Sequence, residues 1–114
     1  MEATQRAAIG RAYYAAHHIA REIFVLENPS VKNKTDGMHE QTIQHFKGTA
    51  ITDPIQGAIR SQIATNLETL LEIRENCDYD KVIKGDLNSL VGMAIRRSTT
   101  IISDCEQVKN LRFP

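Results

Sequence analysis

Apolar residues recur at spacings of three and four through most of the chain, a periodicity that predicts helices rather than strands. In the first predicted helix, Ala3 to Leu26, the apolar stripe reads Ala8, Ala12, Ala15, Ala16, Ile19, Ile23 and Leu26. Its small residues favour close approach by a neighbouring helix. Asn28-Pro29-Ser30 ends the helix, because the residue before a proline disfavours the α region. A polar stretch, Val31 to Gly37, leads to a short second helix over Met38 to Phe46, with Asp36 near its start and Gly48 as its breaker. Thr52 or Asp53 caps a third helix, whose first turn suits Pro54. The stripe there is Ile55, Ile59, Ile63, Leu67, Leu70, Ile73 and Cys77. A connector from Asp78 to Gly85 reaches Asp86, an N-cap for a fourth helix with the stripe Leu87, Leu90, Val91, Ala94, Ser98, Ile101, Cys105 and Val108. Fraying is expected from Asn110 to Pro114.

No stretch sustains a two-residue alternation, so the expected fold is all-α. Four helices joined by short loops predict a single antiparallel bundle spanning residues 1–114. That length supports one core. Aromatic residues make up only 5% and tryptophan is absent, so the core must be built from Ile, Leu, Ala and Val.

Charge narrows the function classes. The chain has 14 basic and 14 acidic residues, which argues against broad coating of nucleic acid but leaves room for a local site or one shared between subunits. No apolar run approaches the roughly 18 residues of a membrane span, and the N-terminus lacks a secretory pattern, so a cytoplasmic protein without membrane contact is expected. Cys77 and Cys105 both fall on apolar stripes and are expected as buried thiols. His17 and His18 are adjacent, and His39 and His45 are six apart; neither pair has the i, i+4 spacing that brings two imidazoles to one metal. Neither a metal nor a cofactor is expected.

Some polar residues need an explanation. Arg11, Tyr14 and His18 share one face of the first helix, about a quarter-turn from its apolar stripe. Geometry therefore pairs Arg11 with His18, whereas His17 neighbours Tyr13, Arg21 and Phe24. Tyr14 and His18 either form part of a site or pack with their polar tips satisfied locally. Arg74 lies in register with Leu70, Leu67, Asn66 and Ile63 and must find a partner, because an unpaired buried cation is costly. It is either a structural staple to Asp78 or another carboxylate, or part of a site. Glu68 and Glu72 read as a solvated face.

The run Arg6-Ala7-Ala8-Ile9-Gly10-Arg11-Ala12-Tyr13-Tyr14-Ala15-Ala16-His17-His18-Ile19-Ala20 resembles the opening helix of the small prokaryotic HEPN proteins, R-A-Y-Y-A-A-F-H-A-A, with His17 where the family usually has Phe. Met38-His39-Glu40 and His45-Phe46 resemble the family's second-helix histidine and its H-F ending. The run from Ile73 to Asp80 resembles its L-R-x-x-A-D-Y-D signature. The resemblance implies an up-and-down bundle of four to five helices, commonly a homodimer. It also implies a place beside a minimal nucleotidyltransferase in toxin–antitoxin or phage-defence modules. Many members are metal-independent ribonucleases with an Arg-x(4–6)-His motif assembled across the dimer. In that motif histidine exchanges the 2′-hydroxyl proton and arginine stabilises phosphate charge. Here Tyr79, Asp80 and Lys81 stand where that histidine belongs after Arg74.

Two functions follow as expectations. One is a dimeric subunit binding a nucleotide, RNA or a partner protein through Tyr14, His39, Asp78 and Tyr79 near Arg74. The other is a ribonuclease using Arg11 and His18, or Arg74 with a histidine from elsewhere.

Overall fold

The computed structural model describes residues 2–34, 37–48, 52–78 and 87–114. Four helices carry the fold: α1 Glu2–Glu27, α2 Met38–Gly48, α3 Pro54–Asp78 and α4 Leu87–Arg112. Among the described residues there is no strand, and no helix is long and apolar enough to cross a membrane.

The chain is an all-α up-and-down bundle. After α1, a descending leg of loop and one 3-10 turn, Pro29–Val31, leads back along the helix. Arg21 holds this leg down by donating to the Lys32 carbonyl (3.1 Å), and Phe24, Val31 and Met38 form a small apolar cluster beneath it. Gly37 takes a positive φ of 71°, a backbone state that favours glycine, and its carbonyl accepts from the Gln41 amide in the first turn of α2. Contacts from Tyr13 to His39 and from Glu27 to His45 set α2 parallel to α1. α3 then runs down, pairing Arg60 with Glu27 near its start. α4 runs up beside α1, matching Ser98 to Ala12 and Lys109 to Glu22.

Helix boundaries follow local chemistry. Asp53 caps α3: its carboxylate accepts from the Ile55 amide at 3.0 Å and its carbonyl from Gly57, with Pro54 opening the helix. The Asp86 cap and the connector lie outside the described residues. α4 continues past the expected fraying point to Arg112, because Lys109 and Arg112 are tied to glutamates of α1.

The core is mainly aliphatic, as the composition requires, and includes the buried thiols of Cys77 and Cys105, which form no disulfide. Burial pushes the Cys105 thiol up to about 12. The buried face of α1 differs from the expected stripe. It reads Ile9, Tyr13, Ala16, Ala20 and Ile23, while Ala15 is exposed and Leu26 is 49% exposed. The helix is enclosed on several sides, so its bulky residues fill the centre. Ala12 instead marks the contact with α4, where Ser98 donates to the Ala12 carbonyl at 2.7 Å.

One charged cluster joins the upper ends of all four helices. The Glu27 carboxylate accepts two hydrogen bonds from the Arg60 guanidinium (2.9 and 2.5 Å), one from His45 (2.8 Å) and one from Arg112 (3.2 Å). Arg60 is only 1% exposed and lies over the Phe46 ring, and His45 stacks on Phe24. Burial alone would raise the Glu27 pKa; the bonds from Arg60 and His45 outweigh it and leave the group lowered. Its ionised form therefore stabilises the fold above its unfolded pKa, and that contribution fades as pH falls through the lowered value. Removing one member strands a buried charge. Glu27→Ala is expected to cost about 3 kcal/mol in urea unfolding at pH 7. Glu27→Leu combined with Arg60→Met is expected to recover most of that loss, whereas additive losses in the pair would contradict the assignment.

Candidate functional site

Two consecutive tyrosines on α1 organise the most chemically dense region. Tyr13 sits at 220° and Tyr14 at 320° on a wheel advancing about 100° per residue, so one ring points into the bundle and the other over its edge. Tyr13 is buried and Tyr14 is 41% exposed. One turn later His17 is buried, near-parallel to the Tyr13 ring at 5.7 Å between centroids, and His18 is exposed beside Tyr14. From α2, His39 packs its ring 4.5 Å from His17 and shares a hydrogen bond between its Nδ1 and the Tyr13 hydroxyl. From α3, the Arg74 guanidinium lies 4.8 Å from the Tyr14 centroid and 5.3 Å from that of Tyr13.

Electrostatics fix the protonation of this group. Burial pushes the Tyr13 phenol upward, outweighing the nearby Arg74 charge, so Tyr13 keeps its proton at neutral pH. Burial, followed by Arg74, lowers the His39 pKa, against an opposing pull from Glu75 and Glu40. His17 falls to about 4, through burial first and then the neighbouring His39, His18, Arg21 and Arg74. The result is a neutral ring stack beside one fixed cation. Such a set can donate to a phosphate oxygen from arginine and imidazole and can face a base with an exposed tyrosine.

Of the residues expected from sequence, Arg74, Tyr14 and His39 come together here, and His18 lies at the rim. Arg11 does not join them: it is exposed and lines a groove between α1 and α4 with Ala8, Ala12, Ile95, Ser98 and Thr99. Tyr79 and the side chain of Asp78 lie outside the described residues. Tyr13 and His17 belong to the cluster without having been singled out. The signal for them was the true inward direction of α1, which the alanine-rich stripe concealed. Beside the cluster, an acidic groove between α2 and α3 is lined by Glu40, Glu68, Glu72 and Glu75, with Glu68 paired to Lys47 at 2.6 Å.

No family model, curated protein or solved structure matches the chain. The site is therefore argued from its own geometry. Among the described residues, no three His, Cys, Asp or Glu side chains are arranged to hold a metal ion.

The lowered histidine carries a pH signature. The unfolded chain binds a proton near His17's ordinary value of 6.5, while the folded chain resists it until about 4. Stability is therefore full above 6.5 and declines as pH falls from there toward 4, by up to about 3 kcal/mol for a shift of this size. His17→Phe removes that titration while keeping the ring stack. The variant's melting temperature at pH 5 is expected to stand above that of the parent, with little difference at pH 7.5. Parallel pH curves for the two proteins would refute the assignment.

Proposed function

We propose that the chain is a HEPN-type subunit that forms a homodimer and binds a nucleotide or RNA at the ring cluster. It would act with a nucleotidyltransferase in a toxin–antitoxin or phage-defence module. The observation that carries this reading is the seating of Arg74 across Tyr13 and Tyr14, next to a His39 that shares a hydrogen bond with the Tyr13 hydroxyl. The planar guanidinium carries N–H donors in a fork of the geometry suited to phosphate oxygens. Exposed Tyr14 offers a base a surface on which to stack. The resemblance of the α1 and α3 segments to HEPN proteins, which points to the same helices, supports the family, the dimer and the partner.

A second reading, metal-independent RNA cleavage, is favoured by one feature. The histidine missing after Arg74 has neighbours that could replace it, since His17, His18 and His39 all surround the same tyrosines. A neutral imidazole there can take the 2′-hydroxyl proton while Arg74 stabilises the phosphorane charge.

Both readings place Arg74 at the phosphate. Loss of a charge-assisted hydrogen bond is worth about 1.5–3 kcal/mol, or about 10- to 100-fold in affinity. Titration calorimetry with a panel of ribonucleoside mono- and triphosphates is expected to find a ligand whose binding Arg74→Ala weakens by that factor. A panel in which nothing binds the parent protein would remove the first reading. Cleavage of mixed RNA that persists in EDTA and vanishes in Arg74→Ala and His18→Ala would establish the second.

A further inference from the structure

The zero net charge conceals a strong segregation of sign. Acids gather along the groove between α2 and α3, at Glu40, Glu68, Glu72 and Glu75. The groove between α3 and α4 has none in its lining. No Asp or Glu occurs from Leu87 to Ser103 in α4, nor from Pro54 to Leu67 in α3. Between these two acid-free stretches lies a groove of about 430 Å³, lined by Gln62, Asn66, Met93, Arg96, Arg97 and Thr100. Asn66 accepts from Arg97 at 2.7 Å through its side-chain oxygen, which orients the guanidinium along the groove and leaves the Asn66 amide N–H₂ as a donor. On the other side of α4 is the shallower groove with Arg11, Ile95 and Thr99. Ile95, 50% exposed, lines this groove beside Arg11.

We infer that this flank is a binding surface for a single strand of RNA, held by its phosphates at Arg11, Arg96 and Arg97. The inference rests on the RNA reading above and deepens it. The ring cluster meets one nucleotide, and the α4 flank carries the strand beyond it. Charge complementarity selects the occupant. A polyanion meets three guanidiniums with no carboxylate along either groove to oppose it. Gln62 and the Asn66 amide supply neutral hydrogen bonds suited to ribose hydroxyls or base edges. Exposed Ile95 adds an apolar contact.

Fluorescence anisotropy of a labelled, mixed-sequence 20-nucleotide RNA with the full chain tests this at several salt concentrations. Arg11 and Arg96 are exposed, so Arg11→Gln with Arg96→Gln leaves the core untouched, and circular dichroism verifies the fold. The double variant is expected to bind about tenfold more weakly at 50 mM salt, with the salt slope reduced by about 1.4. Affinity and slope equal to those of the parent would overturn the inference. If poly-L-glutamate displaces the RNA as well as unlabelled RNA does, the flank is a dock for an acidic protein segment and the inference likewise falls. Arg74→Gln separates the two sites. If it weakens nucleotide binding while the double variant leaves RNA affinity unchanged, only the flank fails. If the double variant loses RNA while Arg74→Gln changes neither ligand, the flank stands and the ring-cluster reading fails.

Discussion

The Glu27 carboxylate is where the bundle is decided. It is 6% exposed, and it draws on a residue from each of the other three helices. Each end that meets there would otherwise be a helix terminus with open choices of angle and register. A buried carboxylate without partners is strongly unfavourable, so the four ends must meet together or the charge is left stranded. The aliphatic core supplies most of the driving force, but apolar contact is non-directional. The ionic cluster adds direction. It explains why the descending leg after α1 is compact, since His45 must return beside Glu27 from only eighteen residues on.

That constraint also sets the position of the ring cluster. With α2 locked at its far end through His45 and Phe46, its near end places His39 against Tyr13 and His17. With α3 locked at Arg60, fourteen residues of helix, about 21 Å, carry Arg74 about half-way along the 44 Å molecule, to the level of Tyr13 and Tyr14 at the middle of α1. The distance between structural and chemical centres is thus fixed by helix rise. A perturbation of the first reaches the second only by tilting whole helices.

Much of the fold was legible because helical periodicity, proline placement and caps are local. The α3 stripe from Ile63 to Cys77 and the α4 stripe from Ala94 to Val108 are buried, and Asp53 caps where capping chemistry predicted. The α1 stripe misled because alanine is apolar without being a core anchor. Ala8 and Ala12 face α4 at close range, while Ile9 and Tyr13 hold the centre. For the candidate site, Arg74 and Tyr14 were visible as polar residues in helical register, and His39 through the resemblance of Met38-His39-Glu40 to a family segment. Their meeting depends on three helices, which no spacing rule contains. Arg60 escaped notice although it stands three and four residues before Ile63 and Ala64. The test applied to Arg74, a cation in register with core positions, picks it out equally well.

The directions of the helices have an electrical corollary. α1, α2 and α4 point the same way, so three partially negative carboxyl termini converge on one pole, opposed only by the amino terminus of α3. α1 makes this worse, having no basic residue in its last turn and ending in an acid. The remaining helices make up the deficit: His45 and Lys47 close α2, Lys109 and Arg112 close α4, and Arg60 reaches across from α3. A side chain such as Arg112, half in water, thereby serves a helix other than its own, neutralising the macrodipole of α1 from the end of α4.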